Sequence, residues 1–391
     1  EGFVMKFDTK AIHIGEEPNF EHTGDVTIPL HLASTYARKE VDIPTKGHEY
    51  SRSDNPTRQA LEKKLASLEN ADYALAFSSG LAAISTVLMA LLKSGDHIIA
   101  FDDLYGGSKR LFDQIFGENF KIEISYVDAT KVSNIKDAIH INTKLIWLET
   151  PTNPLLKMCD IQKISKMAIK EDLIVVVDNT FLSPFFQRPL NLGASIVLHS
   201  TTKYINGHSD SVGGCLMTRD KKLYEKLHFV QNAAGAILSP FDSFLVLRGL
   251  KTLGIRMQRH EENAKKIAKF LIKHPHVSSV IYPGLKEYAY AEIARKQCLG
   301  FGGMLSFELK ASLEETKKFL EHLKLFSIAE SLGGVESLVE LPSIMTHSSI
   351  SKEHREKIGL KDSLIRLSVG IEDVEDLLSD LKQAFKTLKS K

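Results

Sequence analysis

Leu173-Ile-Val-Val-Val-Asp178 is the stretch on which the fold turns. An uninterrupted β-branched run has no polar face. Such a strand has to be covered on both sides, as in a parallel sheet flanked by helices. The run closes on a carboxylate. A charge ending an apolar strand is costly unless a cation or hydrogen-bond donors meet it. Asp178 therefore caps a helix, pairs with an arginine, or faces a protonated nitrogen of a ligand.

The neighbouring sequence repeats the pattern. Tyr73-Ala-Leu-Ala-Phe77 runs into Ser78-Ser79-Gly80, and an apolar helix begins at Leu81. His97-Ile-Ile-Ala-Phe101 leads to Asp102-Asp-Leu-Tyr105. Lys121 to Val127 reads as an edge strand. Lys144-Leu-Ile-Trp-Leu-Glu149 ends in Thr150-Pro-Thr-Asn153-Pro154, and Asp160 to Lys170 has helical spacing. Ile196-Val-Leu198 runs into His-Ser200-Thr-Thr202-Lys203. Strands alternating with helices over about 70–220 predict an α/β domain with a doubly wound, mostly parallel sheet. In such sheets functional groups collect beyond the carboxyl ends of the strands. Ser79-Gly80, Tyr105, Asn153, Asp178 and Ser200 to Lys203 all fall at that end.

Each of these signals has an ordinary reading when taken alone. Ser79-Gly80 before a helix either caps it or offers free N–H groups to an anion. Lys203, after Ser200 and Thr202, is a solvated lysine, a phosphate partner, or a desolvated amine able to form a Schiff base. Arg366, within Leu364-Ile-Arg-Leu-Ser-Val369, makes an internal salt bridge or binds a carboxylate bidentately. Taken together they form a set. A lysine, an acid for a pyridine nitrogen, a phosphate cradle and a stacking aromatic are what a pyridoxal phosphate site needs. Neither a Gly-x-Gly-x-x-Gly nor a P-loop pattern follows any strand, so a nucleotide site lacks support.

Composition narrows the partners. Across 391 residues, Lys+Arg 50 balances Asp+Glu 49 to a net charge of +1, which argues against nucleic acid or an anionic membrane as partner. The three cysteines, Cys159, Cys215 and Cys298, lack metal-ligand spacing, so no metal site is expected. They fit buried thiols in a reducing, cytoplasmic setting. No apolar run reaches transmembrane length, and no signal-peptide core is visible. Met5 fits a natural start, with Glu1 to Val4 as an addition. Residues 1–56 carry Pro18, Pro29, Pro44 and Pro56 and little periodic apolar sequence, which predicts an arm ordered by packing on something else, such as another subunit. Residues 57–250 form the α/β domain. From Asp242 on, long helices (Asp242 to Ile255, Met257 to His274, Glu372 to Leu388) and alternating strands predict a smaller α+β domain over 251–391.

The motifs Tyr50-Ser-Arg-Ser-Asp-Asn-Pro-Thr-Arg58, Asp103-Leu-Tyr-Gly-Gly107, Glu149-Thr-Pro-Thr-Asn-Pro154, Val177-Asp-Asn-Thr-Phe181, Ser200 to Asp210, Ala329-Glu-Ser-Leu-Gly-Gly334, Leu341 to His347 and Ile365 to Gly370 resemble the γ-family of pyridoxal phosphate enzymes of sulfur amino acid metabolism. The resemblance runs from about Thr9 to Leu388. It implies the fold type I of these enzymes and a homo-oligomer, a tetramer built as a dimer of dimers. It implies pyridoxal 5'-phosphate held covalently by Lys203, which also shuttles protons. Asp178 would hold the ring nitrogen and Tyr105 would stack on the ring. Ser79, Gly80, Leu81, Ser200 and Thr202 would bind the phosphate from one subunit, and Tyr50 and Arg52 from its neighbour. Arg366, Asn153 and Ser331 would hold the carboxylate of an amino acid substrate, with Arg110 and Glu330 facing its distal part. The implied reaction is γ-elimination of L-cystathionine to cysteine, 2-oxobutanoate and ammonia. The alternatives are γ-replacement of an O-acyl-homoserine by cysteine and, in another class, a non-catalytic scaffold of the same fold. Asp54 departs from the pattern, which has glycine there. Gly107, where methionine-cleaving members carry cysteine, argues against that activity.

Overall fold

The computed structural model describes residues 4–20, 23–346, 355 and 358–388. Its larger sheet contains β1 (Tyr73–Phe77), β2 (His97–Phe101), β3 (Glu123–Val127), β4 (Thr143–Glu149), β5 (Ile174–Asp178), β6 (Ile196–Ser200) and β7 (Gly214–Thr218), in the order β1-β7-β6-β5-β4-β2-β3. Neighbours from β6 to β3 are parallel. β7 runs against both β6 and β1. All strands but β7 therefore share a direction, and their carboxyl ends lie along one edge. β3 takes the edge position that its sequence suggested. β7 was not foreseen: it follows β6 without a crossover helix, so no helical period announces it.

Burial explains the strand sequences. Val175, Val176 and Val177 are buried, as are Ile146, Trp147 and Leu148 beside them. The helix Gly80–Leu91 packs on β6 and β7, and the helix Ile161–Lys170 on β5. Local chemistry sets the helix starts. Asp160 accepts the Lys163 N–H. Asn55 accepts from Thr57 and Arg58 with Pro56 at the first helical position of Pro56–Glu69.

The second sheet holds β8 (Val277–Ile281), β9 (Met304–Leu309), β10 (Ser327–Ile328), β11 (Leu338–Glu340) and β12 (Leu364–Ser368), in the order β10-β11-β12-β9-β8. Ile365 and Leu367 join a core with Leu305 and Phe307. The period of two therefore turns Arg366 to the opposite face, along with Leu364, which packs on Leu155. That alternation places a guanidinium from the small sheet against the loops of the large one.

Several helix boundaries differ from expectation. The helices observed near 240–271 are Pro240–Leu250 and Leu253–Leu271. The first starts early because Ser239 accepts the Asp242 N–H. A helix, Lys221–Ala234, precedes them, capped by Asp220. The closing helix is Val374–Phe385, capped by Asp373. Between the short helix Phe7–His13 and Pro56, the described residues form neither a helix nor a named strand.

Candidate active site

A cavity of about 450 Å³ opens at the carboxyl ends of the parallel strands. Of the residues singled out from the sequence, Ser79, Gly80, Leu81, Tyr105, Asn153, Asp178, Ser200, Thr202, Lys203, Glu330, Ser331 and Arg366 line it. Three do not. Arg110 is exposed outside the lining, although its charge reaches the Tyr105 hydroxyl. Tyr50 is exposed, and Arg52 donates to the Asn232 carbonyl (2.7 Å) and side chain (2.8 Å) of its own chain. Asp54 keeps an ordinary negative φ, so the missing glycine leaves that turn unstrained. His347 lies outside the described residues.

Lys203 follows β6 and donates to Ser331 Oγ at 2.6 Å. Burial, with Arg366 nearby, pushes its amine down from 10.5 to about 8. Ser331 itself sits at φ 91°, a region L-residues rarely occupy. Its carbonyl accepts from Arg366 Nη2 at 2.7 Å, which fixes both ends of that residue.

Asp178 closes β5. Its Oδ1 accepts the Thr180 N–H at 3.0 Å and hydroxyl at 2.6 Å. Burial raises this carboxyl above its ordinary value, and the Thr180 bonds oppose the rise. The Thr180 hydroxyl oxygen also accepts the Ser200 N–H at 2.9 Å, joining the acid to the Ser200–Thr202 turn. The N-terminus of helix Gly80–Leu91 faces the same space. The Ser79 hydroxyl caps Ala82 (2.9 Å). The first N–H groups of a helix have no intrahelical acceptor and favour an anion. The cap reading of this turn is borne out, and a capped helix start does not preclude an anion. At Gly80 a β-carbon would come within 3.3 Å of Ser200 Cβ, a tight contact that shows how closely helix and turn approach.

Arg366 makes the internal salt bridge that was one of the two readings for it. Its Nη1 donates to Asn153 Oδ1 (2.8 Å), and its Nη2 pairs with Glu340 at 2.5 Å across the β11–β12 register. Its Nε is buried without a hydrogen-bond partner. An idle, buried N–H on a charged group is a place for an acceptor from a ligand. Sequence reasoning passed over four polar cavity residues: Ser108, Glu149, Thr180 and Thr346. Glu340, behind Arg366 and bonded to Thr346, was also missed. Glu149 carries the signal used for Asp178, an acid closing an apolar strand. Glu340 lies on a strand too short to show a period. Tyr105 packs so closely over Gly107 that a β-carbon there would overlap its Cε1, so a larger residue would displace the tyrosine.

This arrangement fits a phosphorylated, cationic aromatic ring: a helix start with free N–H groups, a half-buried acid, an exposed aromatic, and a lysine whose amine is lowered to about 8. Fold and site together define a pyridoxal phosphate-dependent enzyme of the doubly wound type. The sequence pattern of the "Cys/Met metabolism PLP-dependent enzyme" family matches residues 8–386. A cystathionine gamma-lyase of Dictyostelium discoideum is 52% identical over 97% of this chain and 97% of its own. A cystathionine beta-lyase of Coxiella burnetii is 52% identical over 96% of this chain and 97% of its own. The solved cystathionine gamma-lyase of Lactobacillus plantarum, complexed with L-serine, superposes with a TM-score of 0.95 at 45% identity, covering 99% and 100% of the two chains. The chain belongs to the PLP-dependent enzymes of cysteine and methionine metabolism.

The three thiols are free. Burial pushes Cys159 to about 12 and the other two upward, which makes them inert packing groups. No helix among the described residues is long and apolar enough to cross a membrane.

Proposed function

We propose that the protein cleaves L-cystathionine at the γ C–S bond, giving cysteine, 2-oxobutanoate and ammonia. The observation that carries the reading is the convergence of Lys203, Asp178 and Arg366 on one cavity. The name borne by similar chains along their full length supports the substrate.

Pyridoxal phosphate, when bound, supplies an electron sink for negative charge developing at Cα and Cβ. Lys203 would anchor it, Asp178 would balance its ring nitrogen, Tyr105 would stack on it, and Ser79 to Leu81 with Ser200 and Thr202 would take the phosphate. The chain's own groups do the rest. Arg366, through its idle Nε and with Asn153, holds the substrate carboxylate, and Glu330 faces the far amino acid. Lys203 Nζ takes the proton from Cα. At a value near 8 about a tenth of its amines are neutral at pH 7, enough to act as a base. The lysine then carries protons between substrate carbons as the thiolate leaves from Cγ. Water completes the balance, releasing ammonia and the keto acid.

The arm and the oligomer belong to the same reading. Residues 1–56 form the arm, 57–250 the cofactor domain and 251–391 the smaller domain. Phe20, Val26, Leu32 and Val41 of the arm and Phe229 and Phe241 of the helices are large, apolar and exposed, which suits burial against another copy. Tyr50 and Arg52 would then reach a neighbour's phosphate site in a homotetramer. Free thiols suit a cytoplasmic enzyme.

Product analysis tests the reaction. Cystathionine should yield cysteine and 2-oxobutanoate. Homocysteine and pyruvate as main products would assign β-cleavage, in keeping with the beta-lyase relative. Faster conversion of O-acyl-homoserine plus cysteine would assign γ-replacement.

A further inference from the structure

Glu149 closes β4 beside Asp178, its register partner on β5, and lines the cavity while only 5% exposed. Both of its oxygens are in use. Oε2 accepts the N–H of Tyr105 at 2.9 Å, and Oε1 accepts the N–H of Asn153 at 2.9 Å. Those N–H groups belong to two loops that follow different strands. One loop carries the aromatic that would cover the ring, and the other carries the amide that meets the substrate's arginine. A second tie joins the same loops, from the Thr152 hydroxyl to Asp103 at 2.5 Å. The line continues from Asn153 Oδ1 to Arg366 Nη1, then from Arg366 Nη2 to the Ser331 carbonyl, with Lys203 Nζ on the Ser331 hydroxyl.

We propose that Glu149 is a positioning residue, setting the distance between the ring-stacking tyrosine and the carboxylate-binding Arg366–Asn153 pair. The inference rests on the roles read above for Tyr105 and Asn153. The chemistry demands a carboxylate. Two N–H donors need two acceptor oxygens. Glutamine would turn one NH₂ against a donor, and aspartate is one methylene too short to reach both loops. The acid is kept despite its cost, since burial and Asp178 both work against its ionisation. Displacing a positioned group by about 1 Å is enough to cost roughly 100-fold in rate.

The test compares wild-type and Glu149→Gln holoenzymes. The measurements are far-UV circular dichroism, visible circular dichroism per mole of bound pyridoxal phosphate, and kcat and KM with L-cystathionine. The expected variant keeps its far-UV spectrum and bound cofactor, loses at least half of the visible signal, and falls about 100-fold in kcat/KM. Glu149→Asp should fall between the two. A visible signal and kcat/KM both within twofold of wild type would overturn the proposal. If Glu149→Gln does not fold, Glu149→Asp is judged by the same criteria. If neither folds, the residue belongs to the scaffold and the proposal is lost. A wild type with a visible signal but no cystathionine turnover would sink the substrate reading alone. The visible signal of the variants would then decide on Glu149.

Discussion

Asp178 and Arg366 are both charged residues on strands that reach the cavity, yet the two sheets treat them differently. In the large sheet Asp178 receives only the N–H and O–H of Thr180, and its register neighbour is another acid, Glu149. Burial lifts both carboxyls. Among the described residues no cation pairs with either acid, since Lys203 at the same end donates to Ser331 instead. In the small sheet Arg366 comes with Glu340 across the β11–β12 register. Its charge is balanced before a ligand arrives, and only Nε is left over. Under the proposed roles, a cationic ring would complete the acids of the large sheet, and the neutralised Arg366 fork would orient a carboxylate without adding a net charge to the cavity.

Two substitutions probe that difference, the larger effect first. Asp178→Asn removes the charge meant for the ring nitrogen. Breaking a buried charge pair costs about 3–5 kcal/mol, or ~10²–10⁴-fold in rate. Steady-state kinetics at saturating cofactor should show that loss in kcat. A kcat within tenfold of wild type would mean that the large sheet does not need its charge.

Glu340→Gln tests the smaller effect. Glu340 holds the Lys203 amine up, and burial and Arg366 push it down. Neutralising Glu340 therefore lowers the lysine further. A lower value makes the base form available in more acid solution, so the acid limb of the kcat–pH profile should move to lower pH. The plateau should stay within about threefold of wild type, because the arginine fork still has Asn153 and the Ser331 carbonyl. A limb that stays put would break the proposed link between the small sheet and the lysine.

The same contrast marks what the sequence made legible. The large sheet announced itself through valine runs that only two covered faces explain, and through polar groups following every site strand. Asp178 and Lys203 could be found there because each interrupts an apolar pattern. β7 escaped because its connection from β6 has no helix. Glu340 escaped because a three-residue strand has no period to read. Glu149 stood in plain view within a quoted motif. Its role depends on where the Tyr105 and Asn153 N–H groups point, and backbone direction in loops is not written in side-chain pattern. Arg366 was read as either a salt bridge or a carboxylate clamp; the β11 pairing makes the salt bridge, and the unpartnered Nε leaves room for the proposed clamp as well.

Lys203 is the proposed anchor of the cofactor. Holoenzyme treated with borohydride, digested and mapped by mass spectrometry should carry the reduced pyridoxyl group on the peptide containing Lys203. A group found on any other lysine, or on none, would contradict it.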